Sequence, residues 1–137
     1  MGVKILWACI AGLGLAACGG NETGPSPELP GVYVASVFRV TPPAEPLIDV
    51  LAAGGTLSIT VASDHSTTGS LSIPASLNGG TPFIADMAGT ATLSGSSVHF
   101  QQSADSFVKD LTWTLGTNLT VNQTIGGATY TITLTRQ

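Results

Sequence analysis

From Gly31 to Arg136 the chain alternates apolar and polar residues with the period of a β-strand. Residues 31–41, GVYVASVFRVT, are β-branched and aromatic and predict a strand that Pro42, Pro43 and Pro46 stop. The run 47–53 before Gly54-Gly55 predicts a short helix, with a short strand as the alternative at this length. Seven further strands are predicted at about 55–63, 67–74, 84–93, 97–102, 106–115, 118–124 and 128–136. Turn chemistry separates most of them: Asp64-His65-Ser66, Asn78-Gly79-Gly80, Ser94-Gly95-Ser96, Gly116-Thr117 and Gly126-Gly127. Short connections favour antiparallel neighbours, and no helical stretch is long enough to cross over between parallel strands. In the last strands Leu119, Val121, Tyr130, Ile132 and Leu134 share one face, opposite a face of Thr and Asn.

This pattern predicts an all-β domain over 31–137: a single antiparallel up-and-down barrel of about eight strands, with a two-sheet β-sandwich as the alternative. The barrel is preferred because closure removes both sheet edges, and these strands carry few charges to guard an edge.

The first 30 residues break the pattern. Lys4 and the apolar stretch Ile5–Leu15 have the make-up of a secretory leader, and the stretch is too short to span a bilayer, which takes about 20 residues. Leu15-Ala16-Ala17-Cys18 resembles the lipobox of bacterial lipoproteins. The resemblance implies cleavage of 1–17, lipidation of Cys18 and anchorage in a membrane through that residue. Attachment through two or more acyl chains would be stable where one is marginal. Gly19 in place of Asp points, by the same resemblance, to the outer membrane of a Gram-negative envelope. Residues 18–30 then read as the lipidated Cys and a flexible tether, whose 12 residues from Gly19 span on the order of 20 Å.

Charge narrows the partners. Beyond residue 18 there are three cations, Arg39, Lys109 and Arg136, against eight carboxylates, a net charge of −5. Such a chain has no electrostatic footprint for nucleic acid and no polybasic patch for anionic lipid. Of the two cysteines, Cys9 lies in the leader, so a chain acylated at Cys18 has no thiol left for a disulfide.

Gly31-Val32-Tyr33 on the first strand and Arg136 on the last resemble the ends of lipocalin-type barrels, where a Gly-x-aromatic lies under a basic residue. The aromatic of that signature is usually Trp; here it is Tyr33. More closely, 31–136 is similar to small bacterial lipoproteins with a lipocalin-like domain. They share the Gly-x-Tyr start, the Gly55-Thr56-Leu57 second strand and the aliphatic-Arg ending. The resemblance implies a fold and a location, with Tyr33 and Arg136 as structural closure, and no activity.

Strand parity adds one expectation. Lys109 shares a face with Phe107, Leu111 and Trp113, and Arg39 shares one with Tyr33. Arg39 and Lys109 are therefore the candidate ligand-binding residues, for an anionic head, unless both side chains simply reach water at a strand end. His65 and His99 read as surface residues, no cluster has metal-ligand spacing, and no catalytic motif or cofactor signature is present. The expected role is a non-enzymatic envelope lipoprotein binding a small apolar or amphipathic ligand. The alternative is a structural, adhesion or assembly module without a ligand cavity.

Overall fold

A computed structural model describes residues 28–137. The leader 1–17, Cys18 and the tether up to residue 27 lie outside the described residues. The described residues form ten strands: β1 Gly31–Thr41, β2 Ile48–Asp49, β3 Thr56–Val61, β4 Ser66–Ile73, β5 Phe83–Asp86, β6 Gly89–Ser94, β7 Ser97–Gln102, β8 Trp113–Leu115, β9 Leu119–Ile125 and β10 Ala128–Arg136. Antiparallel pairing runs β1-β3-β4-β6-β7-β8-β9-β10 and returns to β1, a closed eight-stranded ring. First and last strands pair from Tyr33↔Arg136 to Thr41↔Thr129, which a sandwich with these strands in separate sheets would forbid. The eight-stranded ring closes between Gly31 and Arg136, so a chain beginning at residue 19 carries all of its strands.

β5 and β6 are two halves of one strand. Ser70↔Asp86 and Thr67↔Gly89 belong to the same register on β4, and the bend between them has a local cause. The Asp86 carboxylate accepts from the Ala88 amide at 2.8 Å, and the buried Thr67 hydroxyl donates to the Met87 carbonyl at 2.7 Å. Gly69 faces the bend at φ +136°, where a Cβ would strike the Ser58 carbonyl of β3. β2 is likewise an extra pairing on the flank of β1, through Arg39↔Asp49 and Val40↔Ile48.

The structure departs from the sequence reading in three places. The run 47–53 forms no helix: Ile48–Asp49 pairs as β2, and the chain then turns, with the Val50 amide donating to the Phe38 carbonyl at 2.9 Å. The predicted strand 106–115 is interrupted by a 3-10 turn at Phe107–Asp110, leaving only Trp113–Leu115 in the wall. The Ser106 hydroxyl caps that turn, accepting from the Val108 amide. Lastly, β1 carries a bulge between Ala35 and Val37, and a bulge exchanges the faces of all residues beyond it. Tyr33 points inward before it, Phe38 after it, and both are fully buried.

The barrel axis is packed. Tyr33, Phe38, Phe100, Trp113, Ile59, Leu71, Ile132 and Leu134 are at most 1 % exposed. Phe100 meets Trp113 edge to face at 5.9 Å between centroids. Outside, β9 and β10 present the predicted hydroxyl face, where Thr124 and Thr129 share a hydrogen bond at 2.8 Å.

Candidate functional site

The two ends of the barrel are built differently. The chain enters at residues 28–30 beside Arg136, and this end is sealed. The Tyr33 hydroxyl donates to the Leu29 carbonyl at 2.7 Å, with Leu29 itself 1 % exposed. The Arg136 guanidinium lies over the Tyr33 ring, 4.9 Å from its centroid. It also donates to the Pro30 carbonyl at 2.5 Å and to the Glu28 carbonyl. Gly31 leaves room for this contact, because a Cβ at that position would displace the guanidinium. Burial raises the Tyr33 pKa above its ordinary value, against the pull of the Arg136 cation.

The opposite end, where β1 finishes at Thr41 and β10 begins at Ala128, is open. A cleft of about 190 Å³ lies there. Val40 and Pro42 from the end of β1, Ile48 and Val50 from β2 and its turn, and Ile73 from β4 form one side. Leu77, on a second 3-10 turn at Ala75–Leu77, Phe107 and Tyr130 complete it. Phe107 reaches this position because the 3-10 turn carries it inward from the wall, stacked on Tyr130 at 4.7 Å and 19°. Its other neighbour is Phe38, 5.8 Å away.

Among the lining side chains the Tyr130 hydroxyl is the one polar group; no protein group among the described residues bonds it, and it is open to water. Burial raises the Tyr130 pKa, and the nearby Asp110 carboxylate raises it further. Trp113 braces the turn beneath, its indole N–H donating to the Val108 carbonyl at 3.3 Å.

Neither expected anion-binding cation faces the interior. Arg39 lies beyond the β1 bulge, so its side chain turns outward, about half exposed, with its guanidinium 4.0 Å from Asp49. Lys109 sits on the 3-10 turn rather than a strand, and its amine pairs with Asp105 at 3.2 Å. The two cations are thus on separate elements, each beside its own carboxylate. Tyr33 and Arg136, by contrast, meet at the sealed end. Cys18 lies outside the described residues.

His99 is exposed and bonds the Thr112 hydroxyl at 3.1 Å. His65 occupies a turn at φ +69°, beside an Asp64 carboxylate that accepts from the Ser66 amide and hydroxyl. Among the described residues no three His, Cys, Asp or Glu side chains come together. A second hollow lies on the flank at Phe100, Gln101, Gln102, Lys109 and Asp110, where β8 is too short to fill the wall. It is broad, shallow and mixed in polarity.

Sequence reasoning missed the mouth as a site. Its lining comes from six separate stretches of chain, none with a motif of its own. The usable signals were Phe107 and Tyr130, both read as inward-facing aromatics near the ends of their segments.

The chain matches no protein-family model, no curated protein and no solved structure. The fold and the site's chemistry therefore carry the functional reading.

Proposed function

We propose that this chain is an envelope-anchored lipoprotein, lipidated at Cys18, whose lipocalin-like barrel takes the apolar part of a small ligand at its open mouth. One observation carries the reading: an apolar cleft of about 190 Å³ at the barrel end opposite the point where residues 28–30 enter. A tether reaching the sealed end would hold that mouth away from the membrane, at the outer membrane if the envelope is Gram-negative. Apolar surface left uncovered at a barrel end, ringed by well-packed strands, is the usual setting for a small-molecule site.

A second reading is favoured by the filled axis. With Trp113, Phe100, Tyr33 and Phe38 buried along it, the barrel has the solid core of a structural, adhesion or assembly module. Native mass spectrometry of the chain from residue 19, purified without detergent, separates the two. A co-purified small molecule that is lost on Leu77→Trp, which fills the mouth, supports binding; a bare mass that stays bare when apolar compounds are added supports the structural module. For the anchor, Cys18→Ser in the full chain should move the protein out of the detergent-extracted membrane fraction. If Cys18→Ser still partitions into detergent after leader cleavage, the lipoprotein reading fails.

A further inference from the structure

The mouth is too small for a long acyl chain and carries no charged lining, and both facts restrict its occupant. Resting on the reading of the mouth as a binding site, we infer that its ligand is uncharged: a single ring or short chain end bearing a neutral oxygen, which the Tyr130 hydroxyl meets as hydrogen-bond donor.

Size comes first. The cleft of about 190 Å³ holds roughly six water-sized groups at about 30 Å³ each, and an engineered apolar cavity of about 150 Å³ takes up benzene. One six-membered ring fits; a long acyl chain or a fused polycycle would leave most of its surface in water. The walls suit a ring as well, since Phe107 and Tyr130 already stack at 4.7 Å beside Ile48, Ile73 and Leu77.

Charge comes second. The cations that could have steered an anion here are engaged elsewhere, Arg39 beside Asp49 and Lys109 with Asp105. The charge felt at Tyr130 is the negative one of Asp110. A carboxylate brought to this mouth would be desolvated against apolar walls with a like charge nearby. A cation would gain from Asp110, but the Tyr130 oxygen is the single side-chain acceptor in the lining, too few for the several donors of an ammonium or guanidinium. What the mouth does offer is the hydroxyl of half-buried Tyr130, bonded to no protein group among the described residues and open to water that a ligand oxygen would replace. A neutral alcohol, ester or ketone oxygen satisfies it, and the ligand's apolar end fills the remainder.

The test uses three matched compounds, toluene, benzyl alcohol and benzoate, titrated calorimetrically into the chain from residue 19. Benzyl alcohol should bind about tenfold or more tightly than benzoate, because desolvating the anion costs far more than desolvating a hydroxyl and its charge is repelled by Asp110. Tyr130→Phe should weaken benzyl alcohol by about two- to tenfold, the range for one net hydrogen bond. The same variant should leave toluene unchanged, which also shows that the variant is folded. Equal binding of benzyl alcohol and benzoate would overturn the preference for an uncharged ligand while leaving the mouth as a binding site. An unchanged benzyl alcohol affinity in Tyr130→Phe would overturn the role of the hydroxyl. If none of the three compounds binds, the mouth itself is not a site and the inference falls with it.

Discussion

The sealed and open ends of this barrel use the same strands to opposite effect. At the sealed end the polar groups over the core have partners: the Tyr33 hydroxyl bonds Leu29, and the guanidinium of Arg136 meets the Tyr33 ring and two backbone carbonyls. At the open end two 3-10 turns stand in for wall, an aromatic stack covers the core, and the Tyr130 hydroxyl is left to water. A buried polar group is costly without a hydrogen bond, so the sealed end reads as a stability device. An end with apolar surface uncovered and a donor to spare reads as a place where something else completes the packing.

The contrast can be broken by substitution, and the largest effect belongs between the two ends. Trp113 is fully buried and braces the turn under the mouth, so Trp113→Ala should cost about 3–5 kcal/mol in chemical denaturation. A loss near 1 kcal/mol would mean that the core is not organised around this ring.

At the sealed end Arg136→Ala removes the contact over the ring and the bonds to the entering chain. It should cost about 1–3 kcal/mol, and Gly31→Ala, which displaces the same guanidinium, should mimic it in thermal melts. If Gly31→Ala is silent, the staple is not formed in solution.

At the open end Phe107→Ala should be milder, about 1–2 kcal/mol, since the ring is only partly buried. It should nevertheless abolish uptake of aromatic compounds by removing one wall of the mouth.

Alkaline pH bears on both ends. Tyr33 and Tyr130 have pKa values raised above 10.0 by burial, with Arg136 opposing the shift at Tyr33 and Asp110 adding to it at Tyr130. The folded state therefore holds its phenolic protons more tightly than the unfolded chain. That contribution is fully present below pH 10.0 and is lost as pH rises through the higher folded values. Denaturation midpoints should fall above that pH, and less steeply in a Tyr33→Phe, Tyr130→Phe double variant. The smallest effect is expected at His99, exposed on the outer wall, where His99→Ala should stay within about 0.5 kcal/mol.

What was legible in the sequence follows the physics of strands. Period-two alternation located the wall because it does not depend on how distant segments pack, and closure was legible through the resemblance of Gly31-Val32-Tyr33 and Arg136 to the ends of lipocalin-type barrels. Two local events hid the rest. The bulge after Ala35 reverses the faces of β1, so Arg39 turns outward although its parity with Tyr33 is even. The Ser106-capped turn takes 107–110 out of the strand, so Lys109 leaves the face of Trp113. The i,i+4 pairing of Asp105 with Lys109 has meaning only once that segment is known to coil. The mouth gathers residues from across the whole domain, and no short motif records such a convergence.

The account's central claim, that the open end receives a ligand while the sealed end does not, is tested most directly by amide and methyl chemical-shift mapping. The experiment uses the chain from residue 19 titrated with benzyl alcohol. Shifts should concentrate at Val40, Ile48, Ile73, Leu77, Phe107 and Tyr130 and saturate together, with Gly31, Tyr33 and Arg136 unmoved. Shifts centred on the sealed end, or spread evenly over the outer wall without saturation, would contradict it.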